Sequence, residues 1–253
     1  MTTDFGYRDS YAAAKKGVIL SRCLQARILD LRHGIEPRDI TDGALFLAGA
    51  VPHFSRGTIH VAVVDPGVGT KRLPIVAKAA GQIIVCPDNG LLTLLAQLHP
   101  LEEARTIENP EFMLNKVSAT FHGRDIFAPA AAAIASGRGV EDAGERLDMI
   151  ELLDPPRPRA HGESRVEGQV IHADRFGNLI SNVHRSMLNE EAIIATRIGS
   201  VSLPSLLRTY GDAAPNEALA LIGSSGFLEI AVNGGNAQRT LKLGRGDAVE
   251  VNW

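Results

Sequence analysis

The sequence predicts a three-layer α/β domain with a mostly parallel sheet, followed by a smaller β-barrel domain. Three observations predict it. Up to residue 152, β-branched runs alternate with segments of helical period, the pattern of strands covered by helices. Leu153-Asp154-Pro155-Pro156-Arg157-Pro158-Arg159 then places three prolines in four positions, which neither a helix nor a central strand tolerates. From residue 165 to 253 short β patterns follow one another between Gly and Asn turns. The expected organisation is therefore domain 1–152, a linker over 153–164, and domain 165–253.

Within the first domain, Ala12 to Cys23 carries apolar residues at helical spacing, with Lys15 and Lys16 assigned to the opposite side. Ala26 to Leu31 is short and apolar and reads as a strand. Thr41-Asp42-Gly43 can cap a helix running through Leu45, Phe46 and Leu47 to Ala50, with Pro52 beyond it. Ile59 to Val64 is a strand by its β-branched content. Leu73 to Ala79 and Gln82 to Cys86 are two more, joined by a turn at Ala80-Gly81. Leu91 to Leu98 reads as a short helix, and Ile126 to Ser136 as an alanine-rich one ended by Gly137. In the second domain the strands are Val166 to Ile171, Leu179 to Val183, Ala218 to Ile222, Phe227 to Val232 and Ala248 to Val251.

Composition narrows the function classes. Of 253 residues 45% are hydrophobic, enough for real cores, and the net charge is −3 with both signs interspersed. That balance gives no electrostatic footprint for nucleic acid. No apolar run approaches the roughly 20 residues that span a bilayer, so no membrane partner is expected. Met1-Thr2-Thr3-Asp4 lacks the regions of a secretory signal, which points to the cytoplasm. Cys23 and Cys86, far apart in apolar segments, read as two thiols in a reducing compartment.

Four turns carry the chemistry: Thr3-Asp4-Phe5-Gly6, Val64-Asp65-Pro66-Gly67-Val68-Gly69, Pro87-Asp88-Asn89-Gly90 and Thr120-Phe121-His122-Gly123-Arg124-Asp125. Each follows an apolar run, and the carboxyl ends of strands in an open α/β sheet are where ligands bind. Asp65 is either a solvated turn residue or a ligand-facing carboxylate, with Arg72 close enough along the chain to pair with it. The glycines after Asp65 fit neither dinucleotide nor Walker fingerprints, so a phosphate role is weak. His122 precedes a helix, where the dipole disfavours the imidazolium and leaves a neutral ring. Asp4 and Asp9 form an Asx-turn pair or chelate vicinal hydroxyls, whose two O–H groups suit a carboxylate. No metal-ligand spacing joins the histidines and acids, and Ser224-Ser225-Gly226 lacks the context of a serine nucleophile. No metal or cofactor is expected.

Taken in order, TDFGYRDSYAAAKKG, DLRHGIEPRD, VDPGVGTKR, PDNG, TFHGRDIFAP, DRFGNLISNV and SSGFLEIAVNGGNA resemble the S-adenosyl-L-methionine hydroxide adenosyltransferases. These SAM hydrolases form adenosine and are related to the adenosyl-fluoride and adenosyl-chloride synthases. The resemblance spans essentially the whole chain. It implies an N-terminal α/β domain, a C-terminal β-barrel, and a homotrimer with each site between neighbouring subunits. It also implies that Asp65, Arg72 and His122 orient a water or hydroxide. Asp4 would hold the ribose hydroxyls, Asn178 the adenine edge, and Phe176 would line the pocket. Ser224, Glu229 and Val232 match adenosine-contacting positions, Val232 through its backbone, and Asp9 lies near the methionine moiety.

The halogenases carry no aspartate at the position of Asp65 and contain an inserted loop, which this chain lacks, so the resemblance favours the hydrolases. Two departures stand out. Only Met1-Thr2 precede Thr3 where the family has an apolar strand, so the strand is curtailed or the start lies upstream. Tyr11 stands where halogenases have a small hydroxyl residue. The expected reaction is displacement at ribose C5′, giving adenosine and methionine, with Asp65 or His122 as proton acceptor. A halide-using relative and a non-catalytic adenosine or SAM binder are the rival readings.

Overall fold

The first unit, Met1–Leu153, of the computed structural model, which describes residues 1–153 and 157–253, combines one sheet with helices. Its strands are β1 (Thr2–Thr3), β2 (Ile59–Val63), β3 (Pro74–Ala79), β4 (Gln82–Pro87) and β5 (Leu101–Thr106). Its helices are α1 (Tyr11–Arg22), α2 (Ile40–Ala50), α3 (Thr93–Leu98) and α4 (Ala128–Ala135). The sheet order is β1-β2-β4-β3-β5.

The sheet is mixed, which refines the expectation of a mostly parallel one. β1 and β4 each run parallel to β2, whereas β3 is antiparallel to both β4 and β5. The cause is local: Ala80 and Gly81 both have positive φ, at 53° and 70°. Such a two-residue turn matches the right-handed twist of flanking strands and forces a hairpin. Alternation along β2 supplies both faces of the sheet. Val61 and Val63 join Ile19, Phe127 and Ala131 on one side, while Ala62 and Val64 join Leu47, Leu91 and Leu95 on the other. Helices on both faces give the three layers.

Several local assignments change. Residues 26–31 form no regular strand; they follow β1 irregularly, with Leu31 N–H donating to the Met1 carbonyl at 2.9 Å. The cap of α2 is Asp39, whose side chain accepts from Asp42 N–H at 3.0 Å, so Thr41 lies inside the first turn. Lys15 is fully buried on the same face as Ile19, whereas Leu20 is exposed, opposite to the polar side expected for Lys15. The alanine-rich helix begins as a widened π-type turn over Gly123–Phe127 before α4. Strand β5, whose sequence is LEEART, had no apolar signature to announce it.

The second unit, Asp154–Trp253, contains β6 (Arg159–Ala160), β7 (Arg165–Ala173), β8 (Leu179–His184), β9 (Ala195–Ile198), β10 (Val201–Pro204), β11 (Ala218–Ile222), β12 (Phe227–Val232), α5 (Ala237–Leu241) and β13 (Ala248–Asn252). The proline-rich linker includes residues 154–156, which lie outside the described residues. Neighbouring strands are antiparallel in the order β10-β9-β13-β7-β8-β12-β11, and β6 adds to β7. Just beyond β10, Leu207 N–H donates to the Ala220 carbonyl of β11 at 2.8 Å, drawing the sheet's two ends together. The result is barrel-like around Val166, Val170, Leu179, Leu228 and Ile230. No helix among the described residues is long and apolar enough to cross a membrane.

Candidate functional site

The four turns singled out in the sequence meet at one rim of the first unit. Asn89 Nδ2 donates to the Val64 carbonyl at 2.9 Å, tying the PDNG turn to the end of β2. Gly69 has φ +78°, and a Cβ there would lie 2.5 Å from the Ala119 carbonyl oxygen. Only glycine permits both that backbone conformation and that approach. The TDFG turn joins through Phe5, which meets Phe121 edge-on with centroids 5.9 Å apart. Tyr11 packs against the same Phe121 at 5.1 Å.

At the centre, Arg72 grips Asp65 with two parallel bonds. Its Nε donates to Asp65 Oδ1 at 2.9 Å and its Nη2 to Oδ2. The two side chains are only 8% and 5% exposed, so the pair is desolvated and its fork geometry matters. Nη2 also reaches His122 Nδ1 at 3.0 Å. A guanidinium has no acceptor, so His122 must accept at Nδ1 and carry its proton on Nε2. Burial lowers the pKa of His122, and the neighbouring Arg72 charge lowers it further. The ring is therefore neutral near pH 7. Beneath, the guanidinium carbon sits 5.2 Å from the centroid of buried Phe127. Arg72 Nη1 is buried and has no hydrogen-bond partner among the described residues.

Arg124 and Asp125, next to His122, do something else. Arg124 pairs with buried Asp125, which also accepts from Ser118 N–H at 2.8 Å. That pair fixes the loop leading into the π-type turn. Of the remaining expected residues in this unit, Asp4 is half-buried and its Oδ2 accepts from Arg38 N–H at 2.9 Å. Asp9 is exposed just before α1.

In the second unit, Asp174 organises the turn between β7 and β8. Its carboxylate accepts from the backbone N–H groups of Phe176 and Asn178 and from Asn178 Nδ2. Holding the amide nitrogen in this way leaves Asn178 Oδ1 as an acceptor for another group. Gly177, at φ +85°, packs so tightly on Asn236 that a Cβ would overlap it at 2.1 Å. Phe176 is largely exposed on that turn, and Ser224 is exposed on the turn between β11 and β12. Glu229 and Val232 are buried in β12. Glu229 Oε1 accepts from Tyr210 O–H at 2.6 Å. Burial raises the Glu229 pKa, and the nearby Asp174 charge adds to the rise.

The first unit thus unites Asp65, Arg72 and His122 directly, and links Asp4 to them through aromatic packing. Asn178 and Glu229 gather around Asp174 in the second unit. Asp174 and Tyr210 were missed as supporting residues. Asp174 stands inside the quoted DRFGN run, whereas nothing local to Tyr210 points to Glu229, 19 positions away.

Comparison with known proteins identifies the family. Residues 1–144 match the SAM hydroxide adenosyltransferase N-terminal domain, and residues 168–250 match the C-terminal domain of the same family. A Salinispora arenicola protein named (R)-S-adenosyl-L-methionine hydrolase is 37% identical, over 99% of this chain and 95% of its own length. One of the same name from Thermus thermophilus is 36% identical over 98% and 97%. A protein named fluorinase from Nocardia brasiliensis stands further off, at 28% over 98% and 94%. An uncharacterised Thermotoga maritima crystal structure superimposes with a TM-score of 0.90 at 36% identity, covering 100% of this chain and 98% of that one. With both domain models matched in order and full-length relatives well above 30% identity, the chain belongs to the SAM hydroxide adenosyltransferase family.

Proposed function

We propose that the protein hydrolyses S-adenosyl-L-methionine to adenosine and L-methionine by attack of water or hydroxide on ribose C5′. The observation that carries this reading is the Asp65–Arg72–His122 constellation, with its ion pair buried and Arg72 Nη1 beside it without a partner among the described residues. A desolvated guanidinium N–H with no protein acceptor suits an oxygen nucleophile that gains negative charge as it reacts. Arg72 stays protonated and cannot be the base.

The C5′–S bond breaks as the C5′–O bond forms, and the sulfonium leaves as a neutral thioether without an acid. One proton must be released from the attacking water. His122 Nδ1 already accepts from Arg72 and its Nε2 carries hydrogen, so its acceptor capacity is spent. Each Asp65 oxygen retains a lone pair after binding Arg72, which favours Asp65 as proton acceptor. Holding the nucleophile in line can lower the barrier by about 7–11 kcal/mol in well-oriented reactions.

Asp4 would receive the ribose diol, Asn178 Oδ1 and Glu229 would face the nucleoside, and Phe176, Ser224 and Val232 would border it. Asp9 would lie toward the methionine. Because these groups are divided between two units, the family resemblance supports a homotrimer with each site shared by adjacent subunits. Mixed oligomers of Asp65→Asn and Asn178→Ala subunits should then regain activity that neither variant has alone. A cytoplasmic location follows from the substrate, an intracellular methyl donor.

The deciding experiment incubates purified protein with SAM in halide-free buffer and follows products by chromatography. Adenosine and methionine should appear in equal amounts and vanish in Arg72→Ala and His122→Ala. A 5′-halo-adenosine on adding chloride or fluoride would mark a halogenase instead. Tight binding without turnover would mark a binding protein.

A further inference from the structure

One buried charge near the proposed site is not used by the chemistry above. Lys15 is 0% exposed on the inner face of α1, with its Cδ packed beside Gly123. Its Nζ lies 5.2 Å from the Phe5 ring centroid and makes no hydrogen bond among the described residues. Burial lowers its pKa to about 7, opposed first by the charge of Asp4 and then by that of Asp30. A methionine would bury an equal stem without the penalty of a buried amine, so packing does not explain the residue.

The groups facing it are Asp4 in the TDFG turn, Asp30 and His33 in the segment beside β1, and the Met1 amino group. Asp30 is already bound by Lys16, and its Oδ1 lies 3.0 Å from His33 Nε2. Asp4, by contrast, has the Arg38 N–H on Oδ2. We propose that Lys15, buried against Phe5 next to Asp4 in the TDFG turn, is a positioning residue for Asp4, a cation that draws the carboxylate into place for the ribose diol. This rests on the role given to Asp4 above. When a nucleoside covers Asp4 and strips its water, attraction from Lys15 acts through a lower dielectric and grows. Lys15 would then stabilise the bound state more than the free one.

The test compares adenosine with 2′,3′-dideoxyadenosine by calorimetry on wild type, Lys15→Met and Lys15→Gln, with melting temperatures alongside. Lys15→Met should bind adenosine about tenfold more weakly, the size of a one-unit difference in proton affinity. Its affinity for the dideoxy ligand should not change, and Lys15→Gln should fall between. Because bound ligand raises the proton affinity of Lys15, wild-type affinity for adenosine should be full in acid and decline as pH rises past about 7. That slope should vanish in Lys15→Met; if it persists, His33 or another group is responsible and the proposal fails. Equal losses for both nucleosides, or no loss, would also overturn it. A wild type with no affinity for adenosine would overturn this proposal, and one that forms no adenosine from SAM would overturn the parent reading as well.

Discussion

Arg72 Nη2 donates to His122 Nδ1 at 3.0 Å while the same guanidinium binds both oxygens of Asp65. One cation therefore sets the position of the carboxylate proposed to accept the proton and the tautomer of His122, 50 positions further along the chain. Lysine could supply the charge but not the fork. Arg72→Lys should lower the turnover number by about 10²–10³, the range for losing one pre-organised donor. KM should change little, which steady-state kinetics will show.

Asp65→Asn removes the charge that compensates a buried guanidinium. Breaking such a pair costs about 3–5 kcal/mol, so chemical denaturation should show a clear loss of stability. The turnover number should fall far more than substrate affinity. An unchanged turnover number would take Asp65 out of the mechanism.

The pH profile should be set on its acid side by His122. Its pKa is lowered from 6.5 by burial and by Arg72, so the ring stays neutral until the pH falls below that reference. Protonation there removes the Nδ1 acceptor and places a second cation against Arg72. Activity should therefore hold down through pH 6.5 and fall only below it. For stability the sign is the same: the unfolded chain binds the proton more readily, so His122 contributes above the unfolded pKa and loses that contribution in acid. The rate–pH curve of the wild type will test the first point.

Gly69→Ala probes the approach of the two central turns. The new methyl would meet the Ala119 carbonyl in a left-handed backbone, at a cost of about 1–3 kcal/mol. Turnover should drop more than thermal stability alone would explain, because the shift moves the loop that bears Asp65 and Arg72.

Tyr210→Phe should weaken nucleoside binding without a proportionate loss of turnover at saturation. It removes the only hydroxyl bonded to Glu229 Oε1 among the described residues, and an unsatisfied buried acceptor costs about 1–3 kcal/mol. Titration calorimetry with adenosine is the measurement.

Much of the architecture was legible where side chains carry the signal. β2, β4 and β12 are dense in Val, Ile or Leu, and their positions follow from that alone. β5, β9 and β10 were not legible, because LEEART, ATRI and VSLP are stabilised by their neighbours' backbones rather than by their own apolar content. Lys15 was misassigned because amphipathic reasoning places lysine outside, and here electrostatics near Asp4 accompanies a lysine inside. Asp65 and Arg72 lie close enough along the chain to suggest a pair, as found; only the family resemblance added His122, since no local pattern spans 50 positions.

The bond from Asn89 to the Val64 carbonyl has a mechanical consequence. It pins the root of the Asp65 loop from outside that loop, so the root has an anchor separate from the contacts made at the tip. The rim works like a workbench with separate clamps. Relatives named hydrolase and fluorinase both align with nearly the whole of this chain, so one scaffold carries both names.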